Sequence, residues 1–155
     1  MTQAVVAGAL AVATLNAISG LTGGWVWYRD DLMGQRSHHA FWVLLRVGQG
    51  AALALALAVG SLAIAGHYSS DHLFYLYALL PLPVGFVAEQ LRIASAQTIL
   101  DQRGLADAAA VGELAESEQR EIVARILRRE TGVMALSALV VVFLALRAAS
   151  TAHGF

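Results

Sequence analysis

A few ionisable side chains interrupt the long apolar stretches of this chain, and they are the first candidates for chemistry. Arg46 lies about 9 Å inside the apolar run 40–66, if that run is a helix that rises 1.5 Å per residue. Glu89 lies at a comparable depth in the run 73–100, and Arg92 follows one turn later. Ionisable residues within apolar helices usually face inward and pair. We therefore predict a structural ion pair of Arg46 with Glu89; a proton or anion relay, or snorkelling to the interface, are the alternatives.

Histidines near the boundaries of the apolar runs are the second set of candidates. His67, Asp71 and His72 stand in one short stretch and could hold a metal ion together. A haem held by two histidines needs them on different helices at one depth, and His72 with His153 comes nearest to that arrangement. These residues lie at the boundary of the runs, outside their interior. We therefore predict no metal and no cofactor, with haem and an outer metal site as the alternatives.

Signatures of known reactions do not occur in the sequence. It has no GxSxG, no HExxH, no Walker loop and no glycine fingerprint after a strand. Cysteine is absent, which excludes thiolate metal sites, iron–sulfur clusters and cysteine nucleophiles. The sequence therefore predicts a protein that is not an enzyme. The small volume outside the apolar runs also excludes a soluble nucleic-acid-binding protein.

The elements that must position these residues are four long apolar runs. Apolar residues make up 58% of the 155 residues and charged residues 14%, with a mean hydropathy of +0.64, which is typical of membrane proteins. Each run can cross a hydrocarbon core of about 30 Å, which takes about 20 helical residues. We predict an all-α fold, an integral membrane four-helix bundle that forms a single domain over residues 1–155. The predicted spans are 4–28, 40–66, 73–100 and 132–149.

The arginines indicate how the bundle is oriented. All ten basic residues are arginine, and nine of them lie in or next to the first and third gaps between the runs. The exception is Arg147, near the far end of the last run. Because positive residues collect on the cytoplasmic side, we predict that these two gaps are cytoplasmic. The protein is then expected in the plasma membrane with both termini outside.

Rows of small residues predict how the helices pack. The first run contains Asn16, Gly20 and Gly24 at four-residue spacing. Such rows allow helix backbones to approach closely in lipid, within one chain or between two chains. We predict packing within the chain, with a dimer face as the alternative. The second run carries a longer row at the same spacing, formed by Gly48, Ala52, Ala56 and Gly60.

Two prolines predict a kink in the third run. Pro81 and Pro83 each remove a backbone donor and clash with the preceding turn. Carbonyl groups exposed at such a kink can line an ion or substrate path in transporters. No acidic residue lies at the same depth, so a purely structural kink is the preferred interpretation.

The cytoplasmic segment 101–131 is the only sizeable region outside lipid. A short alanine-rich helix is predicted over 105–114, and Ser117 is predicted to cap an amphipathic helix. This helix has three possible uses: lying on the inner leaflet, packing back on the bundle, or docking a partner. Its apolar stripe consists of Ile122, Val123, Ile126 and Leu127.

Three sequence blocks resemble a family of small four-span membrane proteins of high-GC actinobacteria. The resemblance covers about the last three-quarters of the chain, and it implies a fold but no activity and no site residues. The many packing features beside the absence of catalytic motifs predict a non-enzymatic accessory or scaffold component that contacts the bilayer and joins a homo-oligomer or a larger membrane complex. A haem-binding or small-solute- or ion-handling protein is the alternative. The blocks are FWVLLRVGQG (41–50), FYLYALLPLPVGFVAEQLRIASAQTILDQRG (74–104) and RRETGVMALSALVVVFLALRA (128–148).

Overall fold

The fold is helical throughout the described residues, which are 2–29 and 35–153 of a computed structural model. Four stretches of helix in this part of the chain are long and apolar enough to cross a membrane. The predicted all-α four-helix membrane bundle is thereby confirmed. We call α1 the first span, α2 the second, α3 with α4 the third, and the apolar part of α6 the fourth. The helices are α1 (Thr2–Arg29), α2 (Gln35–Ile64), α3 (His72–Leu79), α4 (Pro81–Gln102), α5 (Ala108–Val111) and α6 (Glu116–Thr151).

The four spans do not pack evenly around one axis. The first and fourth spans pack along each other most extensively, the second span packs on the first, and the third packs on the fourth. The second and third spans make few contacts with each other. A seam therefore remains between them, and its floor is formed by the first and fourth spans.

Glycines allow the first span to approach the fourth closely. A Cβ atom on Gly20 would lie 2.8 Å from Leu139 Cδ2, and one on Gly23 would lie 2.9 Å from the Cβ atom of Ala135. A Cβ atom on Gly24 would meet nothing within 4 Å. The close contact that the four-residue spacing assigned to Gly24 thus belongs to Gly23. Gly20 and Gly23 are three residues apart and so share a helix face. Phe41, near the start of α2, lies beside Gly23.

The row of small residues on the second span packs over only part of its length. Gly48 lies against the side-chain amide of Asn16, and Ala52 and Ala56 are buried. A Cβ atom on Gly60 would meet nothing within 4 Å. Gly60 therefore takes no part in the close packing, although Val59 and Leu62 on either side of it still pack against the core.

The third span is interrupted at the predicted position. α3 ends at Leu79 and α4 begins at Pro81, with Leu80 between them in helical conformation. Leu80 N donates to Leu76 O at 2.9 Å, and Val84 N donates to Leu80 O at 3.1 Å, so the helical path continues. The break arises because prolines have no N–H to donate within the helix.

Segment 101–131 differs from the prediction in two places. α5 is a helix of four residues, with the Asp107 side chain accepting from Ala110 N at 3.0 Å, and is shorter than the predicted 105–114. α6 begins at Glu116, with Ala115 at its N-cap and no side-chain cap, so the predicted cap at Ser117 is wrong. Asp107 is an effective cap because its carboxylate reaches an unpaired amide of the first turn, which alanine cannot do.

The amphipathic helix is not a separate element. It continues into the fourth span as one helix of 36 residues, about 54 Å long at 1.5 Å per residue. Ile122 is buried against Ile99 and Leu100 near the C-terminal end of α4, and Leu105 and Ile126 pack around them. Of the three uses open to the stripe, the structure has it pack back on the bundle.

Candidate functional site

Four ionic side chains connect the second, third and fourth spans at the end of the seam nearest segment 101–131, which we call its inner end. Arg46 Nη1 lies 2.5 Å from Glu89 Oε1, and Arg92 Nε lies 2.9 Å from Glu89 Oε2. Arg92 Nη1 lies 3.8 Å from Glu130 Oε1 of α6. Arg46 Nη1 also donates to Gln49 Oε1 at 2.7 Å. Glu89 therefore bridges two arginines, and we call Arg46, Glu89, Arg92 and Glu130 the ionic network.

Trp42 adds an aromatic face to the ionic network. Its ring centroid lies 5.8 Å from the guanidinium carbon of Arg46 and 5.5 Å from that of Arg92, within the range of cation–π attraction. Trp42 Nε1 donates to His38 Nε2 at 3.0 Å. The roles of Trp42 and Glu130 were not predicted from the sequence.

The ionic network is suited to orient helices. Its two positive and two negative groups cancel in formal charge, and each acid has an arginine partner. The side chain of Arg46 is 52% exposed and that of Glu89 is 23% exposed, so the pair lies at the mouth of the seam. A relay across the membrane would need polar groups continuing outward. Past Asn16 and Ser137, the outer end of the seam is lined by apolar side chains.

A cavity of about 260 Å³ occupies the seam below the ionic network. Its floor comes from the first and fourth spans, and its walls come from the second and third spans. Polar side chains line its inner part and floor, and leucine, proline and valine line its outer end. The lining residues include Gln49 and Glu89 at the inner end, Asn16 and Ser137 on the floor, and Leu53, Pro81 and Val141 at the outer end.

Asn16 is the most deeply buried polar group of this cavity, with 2% of its surface exposed. Its Nδ2 donates to Val12 O at 2.9 Å and to Gly48 O at 3.4 Å. Its Oδ1 accepts no hydrogen bond from any residue that the structure describes. The absence of a side chain on Gly48 creates the space in which the amide lies. From the sequence, Asn16 was predicted only as part of a packing row, although an amide one turn before a GxxxG motif indicates a buried polar group.

The structure does not bring together the residues that were considered for a metal site, His67, Asp71 and His72. Asp71 is the N-cap of α3, and its Oδ1 accepts from Leu73 N at 2.9 Å. His67 and His72 are exposed. Within residues 2–29 and 35–153 no group of three His, Cys, Asp or Glu side chains is placed to hold a metal ion. His153 contributes through its backbone, since its carbonyl accepts from Ser69 Oγ at 2.9 Å.

Asparagine and alanine at position 71 should separate the capping role from a metal-binding role. Asp71→Ala removes the acceptor from the first turn of α3 and should lower the free energy of unfolding by about 1 kcal/mol. Asp71→Asn keeps an acceptor and should change stability by only a few tenths of a kcal/mol, because asparagine caps as well as aspartate. Thermal unfolding of the purified protein in detergent measures both. Equal losses of stability in the two variants, with added zinc stabilising the parent but neither variant, would contradict the capping role.

Comparisons with protein-family models, with curated proteins and with solved structures find no match to this chain. A function must therefore be argued from the geometry of the bundle itself. Two features of the bundle can support such an argument: the apolar surface of the spans and the cavity in the seam.

Proposed function

We propose that this membrane protein is a non-enzymatic accessory or scaffold component, which associates with copies of itself or with a larger plasma-membrane complex. The observation that carries the proposal is a groove of about 580 Å³ on the outer half of the bundle, between the first and second spans. Its lining is rich in small residues, which leave room for a further helix. They are Ala4, Gly8, Ala11, Ala51, Ala54, Ala58 and Ser61.

The composition of this groove supports helix association. In lipid no hydrophobic effect drives two helices together, so close van der Waals contact between backbones with small side chains has to do so. Ala54 and Ala58 are exposed, and Leu57 and Ile64 project from the same helix with 63% and 91% of their surfaces exposed. Small residues between projecting apolar side chains form a surface into which another helix can pack.

We also propose an orientation in the membrane, with segment 101–131 in the cytoplasm and both termini outside. Arg29 lies over the ring of Trp25 at 4.4 Å, and Arg128 lies over Trp27 at 5.3 Å. These arginine–tryptophan pairs lie at the same end of the first and fourth spans, where aromatic and basic residues are expected at an inner membrane interface. They support placing segment 101–131 in the cytoplasm and both termini outside.

Single cysteines in this cysteine-free chain test whether the groove is occupied. Ala58→Cys puts a thiol in the groove, six residues from the end of α2. Leu146→Cys puts one on the fourth span, five residues from the end of α6 and outside the groove. After mild oxidation or bifunctional thiol cross-linking in native membranes, Ala58→Cys should give a covalent adduct of defined mass. A dimer identifies a second copy, and another mass identifies a partner.

The Leu146→Cys variant is the control because its exposure to lipid is comparable and it should cross-link weakly. Cross-linking of equal yield at both positions would indicate random collision. No adduct at position 58, together with a monomer free of a stoichiometric partner by native mass spectrometry, would overturn the proposed function.

A further inference from the structure

We propose that the cavity in the seam binds a neutral, single-chain membrane alcohol. Its hydroxyl would lie between Asn16 and Gln49, and its chain would run outward between Leu53 and Val141. On the second span, this ligand site and the groove lie on opposite sides of the face that packs on the first span. The site does not depend on the function proposed above.

The shape of the cavity fits one hydrocarbon chain. It extends from Leu45 to Leu53 along the second span, eight residues or about 12 Å of helix. A volume of about 260 Å³ along that length is enough for one hydrocarbon chain. The volume lies just under the range of about 300–1,000 Å³ that is usual for ligand pockets.

The unpaired polar atoms of the cavity define the head group. Asn16 Oδ1 accepts no hydrogen bond from the described residues, and Gln49 Nε2 donates none to them, because Gln49 is engaged only through its Oε1. One acceptor and one donor therefore line the same cavity. Both atoms are therefore available to a polar group that enters the cavity. A hydroxyl group can pair with both, since it donates and accepts at once.

The charge at the inner end of the cavity selects a neutral head group. Arg46 and Arg92 are each paired with a carboxylate of Glu89 or Glu130, so the ionic network has no formal charge left for a ligand. A carboxylate or phosphate at this depth would be an extra charge with no free arginine beside it, which the membrane interior disfavours. Fatty acids and phospholipid head groups are therefore poorer ligands than an alcohol.

The cavity is reached from the bilayer. The second and third spans make few contacts, and the side chains of Leu53, Leu82 and Phe86, which line the cavity, are also exposed on the lipid-facing surface. A chain-like molecule dissolved in the membrane can thus enter sideways between the two spans, without passing the ionic network.

A photoreactive alcohol tests the site in the full-length protein. The probe is a ten-carbon primary alcohol with a diazirine at its far end, added to the purified protein in lipid nanodiscs. Labelling mapped by mass spectrometry should concentrate on the outer end of the cavity, at Leu53, Pro81 and Val141. The methyl ether and the carboxylate of the same chain should label these positions about tenfold less, because neither can donate at neutral pH.

Two glycine variants provide the matched test of the cavity. Gly85 lines the cavity, and a Cβ atom there would meet nothing within 4 Å, so Gly85→Leu should reduce the space in the cavity. Gly50 has equally open surroundings but lies outside the cavity. Gly85→Leu should reduce labelling about tenfold, and Gly50→Leu should leave it unchanged.

The outcomes divide clearly. Retention of the labelling in Gly85→Leu, equal labelling by the alcohol and its ether, or labelling spread over lipid-facing positions such as Phe143 would each overturn the alcohol site. Because both glycine variants replace a helical glycine with a better helix former, neither is expected to unfold the bundle. Cross-linking at Ala58→Cys is measured separately, so the site and the scaffold proposal stand or fall independently.

Discussion

Gly23→Ala should lower the free energy of unfolding by about 1–3 kcal/mol, whereas Gly24→Ala should not lower it. A Cβ atom at position 23 would lie 2.8 Å from Phe41 Cδ2 and 2.9 Å from Ala135 Cβ. Both neighbours are buried, so the ring and the fourth span would have to move apart. One methyl group thus disturbs the meeting point of three spans. Thermal unfolding in detergent, followed by loss of the monodisperse chromatographic peak, measures the difference.

The adjacent glycine is the control for this prediction. A Cβ atom on Gly24 meets nothing within 4 Å, and alanine is the better helix former by about 0.5–1 kcal/mol. Gly24→Ala should therefore be neutral or slightly stabilising. A greater loss at Gly24 than at Gly23 would mean that the first span is rotated relative to the arrangement described here.

Glu89→Gln should destabilise the bundle more than Arg46→Gln does, although each removes the same ion pair. Loss of the Glu89 carboxylate removes the partner of Arg46 and the shorter of the two contacts of Arg92. Loss of Arg46 leaves Glu89 paired with Arg92. Breaking a fully buried pair costs about 3–5 kcal/mol and an exposed pair about 0–1, so we expect about 2 for Glu89→Gln at this half-exposed site. We expect under about 1 kcal/mol for Arg46→Gln.

The double variant makes this prediction specific. If the two side chains interact directly, Arg46→Gln combined with Glu89→Gln should cost less than the sum of the single changes. Glu118→Gln, which neutralises an exposed acid in the first turn of α6, should have little effect. Additive losses in the double variant, or a larger loss for Arg46→Gln, would contradict the bridging role of Glu89.

The number and nature of the spans could be predicted because they depend on properties that each segment carries alone. Long apolar runs must form helices in lipid, whatever their neighbours are. The depth of a residue along a span also depends only on that segment, which is why Arg46 and Glu89 could be proposed as partners. In the structure Arg46 Nη1 lies 2.5 Å from Glu89 Oε1. Glu130 was missed because it precedes the predicted span 132–149. Its role depends on α6 running unbroken from Glu116.

The seam could not be predicted, because it depends on which spans become neighbours. A row of small residues predicts that a helix packs closely, but it does not predict which helix is the partner. The surroundings of Gly23 and Gly24 therefore differ only in the folded bundle, where α2 and α6 lie beside Gly23. Asn16 likewise became a candidate ligand-binding group only when the second and third spans proved to stand apart above it. The order of helices around a bundle is a tertiary property that local periodicity does not encode.

The most direct test of the account is the side of the membrane on which two single cysteines react. Ser70→Cys lies in the stretch between α2 and α3, and Glu118→Cys lies at the start of α6; both positions are exposed. In intact cells a membrane-impermeant thiol reagent should modify position 70 and spare position 118, which should react only after permeabilisation. The reverse pattern would contradict the proposed orientation, and reaction of both positions in intact cells would contradict four spans crossing the membrane.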